Sequence, residues 1–192
     1  MRPAAAALSA ALALAAAACD RYTLVENGPV TMDSVYTVEP QIAWNRRSDG
    51  NTVTWTVDGP ALEEVRFING LEDGDRLFEG ADAKKLPTFG AKMTPIEVQE
   101  FFEQSFIRAG VLDMKARGLR PAPFGNADGF RFEFAYSLED GLEREGIATG
   151  MLRGEKLYLI VYSGTRLHFF GKYKAVAERV IASVRLRPDA SP

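Results

Sequence analysis

The chain has 192 residues and 21.1 kDa, room for one folded domain and hardly two. Its 46% hydrophobic and 26% charged residues argue against wholesale disorder and a multi-span membrane protein, and a formal charge of -3 argues against a nucleic-acid binder. A single cysteine, Cys19, and a single histidine, His168, exclude an intramolecular disulfide, a multi-cysteine metal site and any mechanism that needs two histidines.

Residues 1–18 read MRPAAAALSAALALAAAA, one charge at Arg2 followed by an Ala/Leu run that ends in small residues. That is the pattern of a secretory signal peptide, and it is too short and too Ala-rich for a spanning helix. The cysteine follows directly, in Ala16-Ala17-Ala18-Cys19. This junction resembles the lipobox of bacterial lipoproteins, in which the signal is cut before a cysteine that then carries lipid. Ala16 stands where the lipobox usually has Leu, and Ala16-x-Ala18 also satisfies ordinary signal peptidase. Lipid on Cys19 accounts for a lone thiol in an oxidising compartment, where an unpaired cysteine is a liability. The resemblance implies an exported cell-envelope protein, attached to a membrane through Cys19 and facing the periplasm. Asp20 after the cysteine favours the inner membrane in lipoproteins of enteric type. The polar stretch up to residue 34, with Asn27-Gly28-Pro29, reads as a tether. The expected organisation is a lipidated N-terminus and tether over 19–34, one domain over 35–187 and a loose tail over 188–192.

Within the domain, Val53, Trp55 and Val57 alternate with Thr52, Thr54 and Thr56, the period of a half-buried strand. The turn Ser48-Asp49-Gly50-Asn51 pairs it with a strand carrying Ile42 and Trp44. A short strand from Val65 to Ile68 precedes the acidic turn Glu72-Asp73-Gly74-Asp75 and a partner around Leu77-Phe78. Thr94-Pro95-Ile96-Glu97 combines an N-cap, a first-turn proline and a capping box. It opens a helix to Ala109, with Gly110 placed for the left-handed end and Val98, Phe101, Phe102, Ser105 and Ala109 on one face. Four strands are predicted next. Asp113 to Leu119 is the first, and a Pro121-Ala122-Pro123 loop leads to the second, where Phe130, Phe132, Phe134, Tyr136 and Leu138 alternate with Arg131, Glu133, Ala135 and Ser137. Asp140-Gly141 and Arg153-Gly154-Glu155-Lys156 turn the chain into Glu143–Leu152 and Leu157–Ser163. The last strand is apolar on both faces, which requires cover on both sides. A helix from Phe170 to Ser183 puts Tyr173, Val176, Ala177, Val180 and Val184 at core spacing, pairs Lys174 with Glu178, and leads to an end strand over 183–186.

These elements make an α+β fold, a four-strand antiparallel meander plus N-terminal hairpins, sandwiched by helices at about 95–109 and 170–183. The Gly141 and Gly154 hairpins, the Tyr158–Tyr162 strand and a final helix ending in Val180-Ile181-Ala182-Ser183-Val184 resemble the PsbP/Mog1-like fold. That family includes photosystem-associated subunits, a Ran-binding protein and bacterial lipoproteins without an assigned role. The resemblance implies binding or assembly and no catalysis or cofactor.

Motifs for chemistry are sparse. Ser163 and His168 supply a nucleophile and a base for a hydrolase, without the G-x-S-x-G elbow. His168 otherwise reads as a half-buried, hydrogen-bonded residue near a helix start. Glu139, Asp140, Glu143 and Glu145 flank one exposed turn, and Glu72-Asp73-Gly74-Asp75 lacks the twelve-residue calcium pattern. Phe101, Phe102, Phe130, Phe132 and Phe134 suit either a core or a carrier of a small apolar ligand or lipid. Charge is uneven: eight acids and two bases lie between Asp58 and Asp82, against six bases and one acid between Arg166 and Arg187. The aromatic and basic stretch around His168, Phe170, Lys172 and Tyr173 is the candidate contact surface for an envelope protein partner.

Overall fold

The computed structural model describes residues 22–78 and 83–188. The signal sequence, Cys19, Asp20 and all of the tail after Pro188 lie outside the described residues. In chain order the strands are β1 (Thr23–Val25), β2 (Val30–Met32), β3 (Tyr36–Val38), β4 (Trp44–Asp49), β5 (Thr52–Thr56), β6 (Glu63–Leu71), β7 (Leu112–Phe124), β8 (Ala127–Ser137), β9 (Glu143–Arg153), β10 (Lys156–Thr165) and β11 (Arg185–Leu186). Helix α1 (Pro95–Arg108) lies between β6 and β7, and α2 (Phe169–Ala182) between β10 and β11. Eight strands form one antiparallel sheet in the order β1-β4-β5-β6-β10-β9-β8-β7, and a second sheet has the order β11-β3-β2.

The sheet divides two cores. Leu157, Leu159 and Val161 of β10 belong to the α1 side with Val98, Phe101 and Phe102. Tyr158, Ile160 and Tyr162 belong to the α2 side with Tyr173, Ala177, Val180 and the small sheet's Met32, Tyr36 and Val38. A strand apolar on both faces is central, as its sequence demands.

Local chemistry explains the elements that match expectation. Thr94 Oγ1 accepts the Glu97 N–H, and the Glu97 carboxylate accepts the Thr94 N–H at 2.7 Å, closing the capping box of α1. Gly110 ends that helix at φ +94°. In the β8–β9 ladder Phe134 stands opposite Gly146 and Phe130 opposite Gly150. A Cβ at Gly146 would sit 2.1 Å from the Phe134 ring, so these glycines are where the rings fold over the neighbouring strand.

Several expectations are corrected. The stretch expected as a tether instead supplies β1, paired with β4, and β2, paired with β3. Leu77 and Phe78 form no strand. The backbone partner of the acidic turn is Phe89, which receives the Gly74 N–H at 2.9 Å and donates to the Asp75 carbonyl at 2.7 Å. Pro121-Ala122-Pro123 is no loop but the end of a thirteen-residue β7. Prolines are tolerated because β7 is the sheet's last strand, with one edge free of a ladder. Ala109 is exposed, one residue past the helix body. Thr56 is buried at 2% exposure because its hydroxyl donates to the Glu63 carbonyl at 2.7 Å. Glu178 turns from Lys174 to Arg131, which holds it by two hydrogen bonds of 2.7 and 2.5 Å.

Candidate functional site

β10 leaves the core at Thr165 and α2 begins at Phe169, so Arg166, Leu167 and His168 make the whole connection. Gly164 makes so tight a joint possible, because a Cβ there would stand 2.8 Å from the Phe170 nitrogen. Tyr162, one turn of the pleat earlier, donates its hydroxyl to the Phe169 and Phe170 carbonyls at 3.0 and 2.6 Å. Its ring stacks on Phe170 at 5.4 Å. The connection is tied on both flanks: the Thr165 N–H donates to Leu62 O at 2.9 Å and the Arg166 N–H to Glu143 O at 3.0 Å. The Arg166 guanidinium meets Glu143 Oε2 and Glu145 Oε1, each at 3.2 Å.

This scaffold presents Leu167 at 97% exposure, against 66% for Leu24, the next most exposed large apolar residue described. His168 beside it is exposed and not half-buried. It occupies the N-cap of α2 without a side-chain cap, its ring edge-on to Phe169 at 4.9 Å. Lys172 Nζ lies 2.8 Å from Asp58 Oδ2, and the Tyr173 hydroxyl donates to the same oxygen at 2.7 Å. The Lys172 bond, then the Tyr173 bond, hold the Asp58 carboxyl below its ordinary pKa. Asp58 reciprocally raises that of Lys172. Lys172 also lies over the Phe169 and Tyr173 rings, at 5.2 and 4.7 Å.

Asp58 is itself positioned by a buried group. Glu63 is 0% exposed, and its Oε1 accepts the Val57 and Asp58 N–H groups at 2.6 and 2.8 Å and the Thr56 hydroxyl at 2.8 Å. Burial raises the Glu63 pKa despite these bonds. The acidic 58–82 stretch and the basic 166–187 stretch thus meet through Asp58 and Lys172. Of the four expected contact residues, His168 and Lys172 face outward. Tyr173 is 8% exposed, with Trp44 at 6.3 Å, and Phe170 is half-buried.

Ser163 and His168 are not brought together as a dyad. The alternation of β10 sends Ser163 to the side of Leu159 and Val161, opposite α2, where its Oγ accepts from Arg144 Nη2 at 3.1 Å. Other candidate groups are engaged internally. Asp140 Oδ1 accepts the Leu142 N–H, Asp75 Oδ2 the Glu72 N–H and Asp73 Oδ1 the Ala91 N–H. Among the described residues no group of His, Cys, Asp and Glu is gathered to hold a metal ion. The five phenylalanines fill the space between α1 and the sheet with one another, Phe102 lying 5.1 Å from Phe132 and 5.0 Å from Phe134.

Leu167, Arg166, Asp58 and Glu63 were not singled out by pattern. Leu167 had one signal, an aliphatic residue between Arg166 and His168 where neither strand nor helix period continues. Glu63 had none, because burial of a carboxylate depends on loop donors that only the fold assembles.

No protein-family model matches the chain, and no curated protein matches its sequence. Among solved structures, the cyanobacterial PsbP protein CyanoP of Synechocystis sp. PCC 6803 overlays with a TM-score of 0.56 at 12% identity, covering 90% of this chain and 96% of that one. LpqN of Mycobacterium tuberculosis, a protein involved in cell envelope biogenesis, gives a TM-score of 0.38 at 10% identity, covering 88% of this chain and 91% of that one. The domain therefore has a PsbP-like fold. No described helix is long and apolar enough to cross a membrane.

Proposed function

We propose that this chain is a non-catalytic binding or assembly module of the bacterial cell envelope, exported and held at a membrane by lipid on Cys19. Its contact surface is the tip formed by Arg166, Leu167 and His168 with Lys172 on the adjoining helix turn. The observation that carries this reading is Leu167, an aliphatic side chain 97% exposed on a connection pinned at both flanks. Exposed leucine gains nothing for folding, whereas a backbone already held in place loses little entropy when a partner covers the side chain it carries. The rim supports a protein partner over an anionic lipid surface, because Glu143 and Glu145 neutralise Arg166 at the tip. The PsbP-like fold is compatible with a module that works by contact.

The test is site-specific photocrosslinking in the native envelope, with the crosslinker at position 167 or, as control, at Ile96, which is 61% exposed on α1. The reading expects one discrete adduct from 167 that is absent from 96, together with a lipid-modified Cys19 peptide lost in Cys19→Ser. Equal crosslinking from both positions, or none from 167, overturns the contact surface. An unmodified Cys19 overturns the lipid anchor.

A further inference from the structure

One edge of the large sheet begins close to the lipid proposed for Cys19. β1 is the first strand in the sheet order and pairs only with β4, Thr23 opposite Arg46, Leu24 opposite Asn45 and Val25 opposite Trp44. Val25 is buried in the α2-side core, so the alternation of the strand turns Leu24 to the other face. Leu24 is 66% exposed there, and Tyr22, two residues earlier, is exposed as well. Neither belongs to a core, and no described strand pairs with the outer edge of β1.

The covalent chain decides what covers these two side chains. Asp20 and Arg21 are the only residues between Cys19 and Tyr22. At the length of an extended residue, Cys19 lies within about 11 Å of Tyr22 and about 18 Å of Leu24, whatever path the chain takes. A tether over 19–34 would have reached about 50 Å, and β1 removes it by pairing with β4.

Lipid on Cys19 holds that residue at the headgroups, a layer about 5–8 Å deep on each side of the hydrocarbon. Part of the reach is spent crossing that layer, which leaves Tyr22 within about 5 Å of the lipid surface and Leu24 within about 12 Å. A phenol suits this boundary, its ring among acyl carbons and its hydroxyl among headgroups, and leucine gains by leaving water. A second copy of the chain is a poorer occupant, because a strand of three residues offers it few ladder bonds.

We propose that the β1 edge is a membrane-docking surface, with Tyr22 and Leu24 seated in the interface of the bilayer that holds the Cys19 lipid. This rests on the lipid anchor proposed above and adds the stance of the domain to it. β4, β5 and β6 lie between β1 and β10, four strand spacings or about 19 Å, so the Leu167 tip is carried clear of the headgroups.

The test is fluorescence quenching of the full-length, lipidated protein in vesicles of phosphatidylethanolamine and phosphatidylglycerol that contain nitroxide-bearing lipids. Lipidation consumes the one cysteine of the chain, so Thr23→Cys or Leu112→Cys offers the only thiol for an environment-sensitive dye. Leu112, also exposed, begins β7 at the opposite edge of the sheet, seven strand spacings or about 33 Å away. The expected result is quenching at 23 and none at 112. Tyr22→Ser combined with Leu24→Ser lowers the ratio of docked to undocked protein by about 10-fold, the worth of one largely buried aliphatic side chain. If the Cys19 peptide carries lipid and position 23 is quenched no more than position 112, the docking is overturned and the anchor stands. An unmodified Cys19 overturns both. Dye shielded at 23 but out of reach of the lipid quenchers, as pairing with a second copy gives, overturns the docking, and so does quenching unchanged in the double variant.

Discussion

The two faces of the large sheet are filled by different chemistry. On the α1 side the core is mostly phenylalanine and aliphatic residues, with Tyr136 the one polar-tipped ring in it, and rings meet rings: Phe102 touches Phe106, Phe132 and Phe134. On the α2 side tyrosines and tryptophans join Phe67 and Phe124, and several of their polar tips are tied. Tyr36 donates to Asn69 at 2.8 Å, Trp44 to the Pro40 carbonyl at 2.7 Å, Tyr162 to the first turn of α2 and Tyr173 to Asp58. The difference teaches what each face has to specify. Shape does most of the seating of α1, helped by one directional bond, the Ala116 N–H of β7 donating to Glu103 Oε2 at 2.7 Å. The α2 side joins a helix, a second sheet and the β10–α2 connection, and directional bonds fix their mutual positions.

The comparison breaks first on the α1 side. Phe102→Ala empties the centre of the ring cluster under α1 and is expected to cost about 3–5 kcal/mol, read as a lower midpoint in urea unfolding. A loss under about 1 kcal/mol would mean the ring cluster is loosely packed. Gly146→Ala tests the same face from the other direction. The added methyl meets the Phe134 ring, and overpacking is expected to cost about 1–3 kcal/mol in the same measurement.

On the α2 side a deletion of one oxygen should act more locally. Tyr162→Phe keeps the stacked ring and removes the bonds to Phe169 and Phe170, for an expected loss of about 0.5–1.5 kcal/mol. Hydrogen exchange should show that loss concentrated in the first turn of α2. Uniform loss of protection across the domain would erase the distinction drawn between the faces.

The smallest expected effect is a pH slope. Burial raises the Glu63 pKa above its ordinary 4.5, so between that value and its folded value the native state keeps a proton that the unfolded chain releases. Stability from this group is therefore fully present below about pH 4.5 and falls as pH rises through the window. Glu63→Gln keeps an oxygen to accept from Val57 and Asp58 and removes the titration. The difference in urea midpoint between variant and wild type should grow in the variant's favour as pH rises. Asp58 and Glu178 have lowered pKa values, so their stabilisation is lost as pH falls through the folded values, the opposite sign. Both are present in either protein, and Asp58, whose charge helps to raise the Glu63 pKa, stays ionised above pH 4.5 because its own pKa lies below the ordinary 3.8. A difference independent of pH would mean that Glu63 does not titrate in this range.

Legibility followed the range of the interactions. The capping box of α1, the glycine that ends it and the β8–β9–β10 meander rest on neighbours within a few residues, and all were readable. The edge position of β7 was not, and without it Pro121 and Pro123 look like a loop. β1 and β2 were hidden for a related reason, since strands of three residues carry too little alternation to show a period and exist because β4 and β3 offer them a ladder. At the candidate tip, the aromatic and basic composition around His168 was visible. Tyr173 already stood at core spacing, whereas only the fold shows that Phe170 is half-buried and that His168 and Lys172 face outward.

The sequence by itself determined that this chain makes an α+β domain with a strand buried on both faces, because hydrophobic period and turn chemistry are local properties. Only the tertiary structure decided that Glu63 is buried beneath Asp58, that Ser163 is held by Arg144 away from α2, that Leu167 stands clear of everything, and that β1 pairs with β4 at the sheet's edge. Each depends on contacts between residues distant in the chain, and pairing across a sheet is written in no single segment.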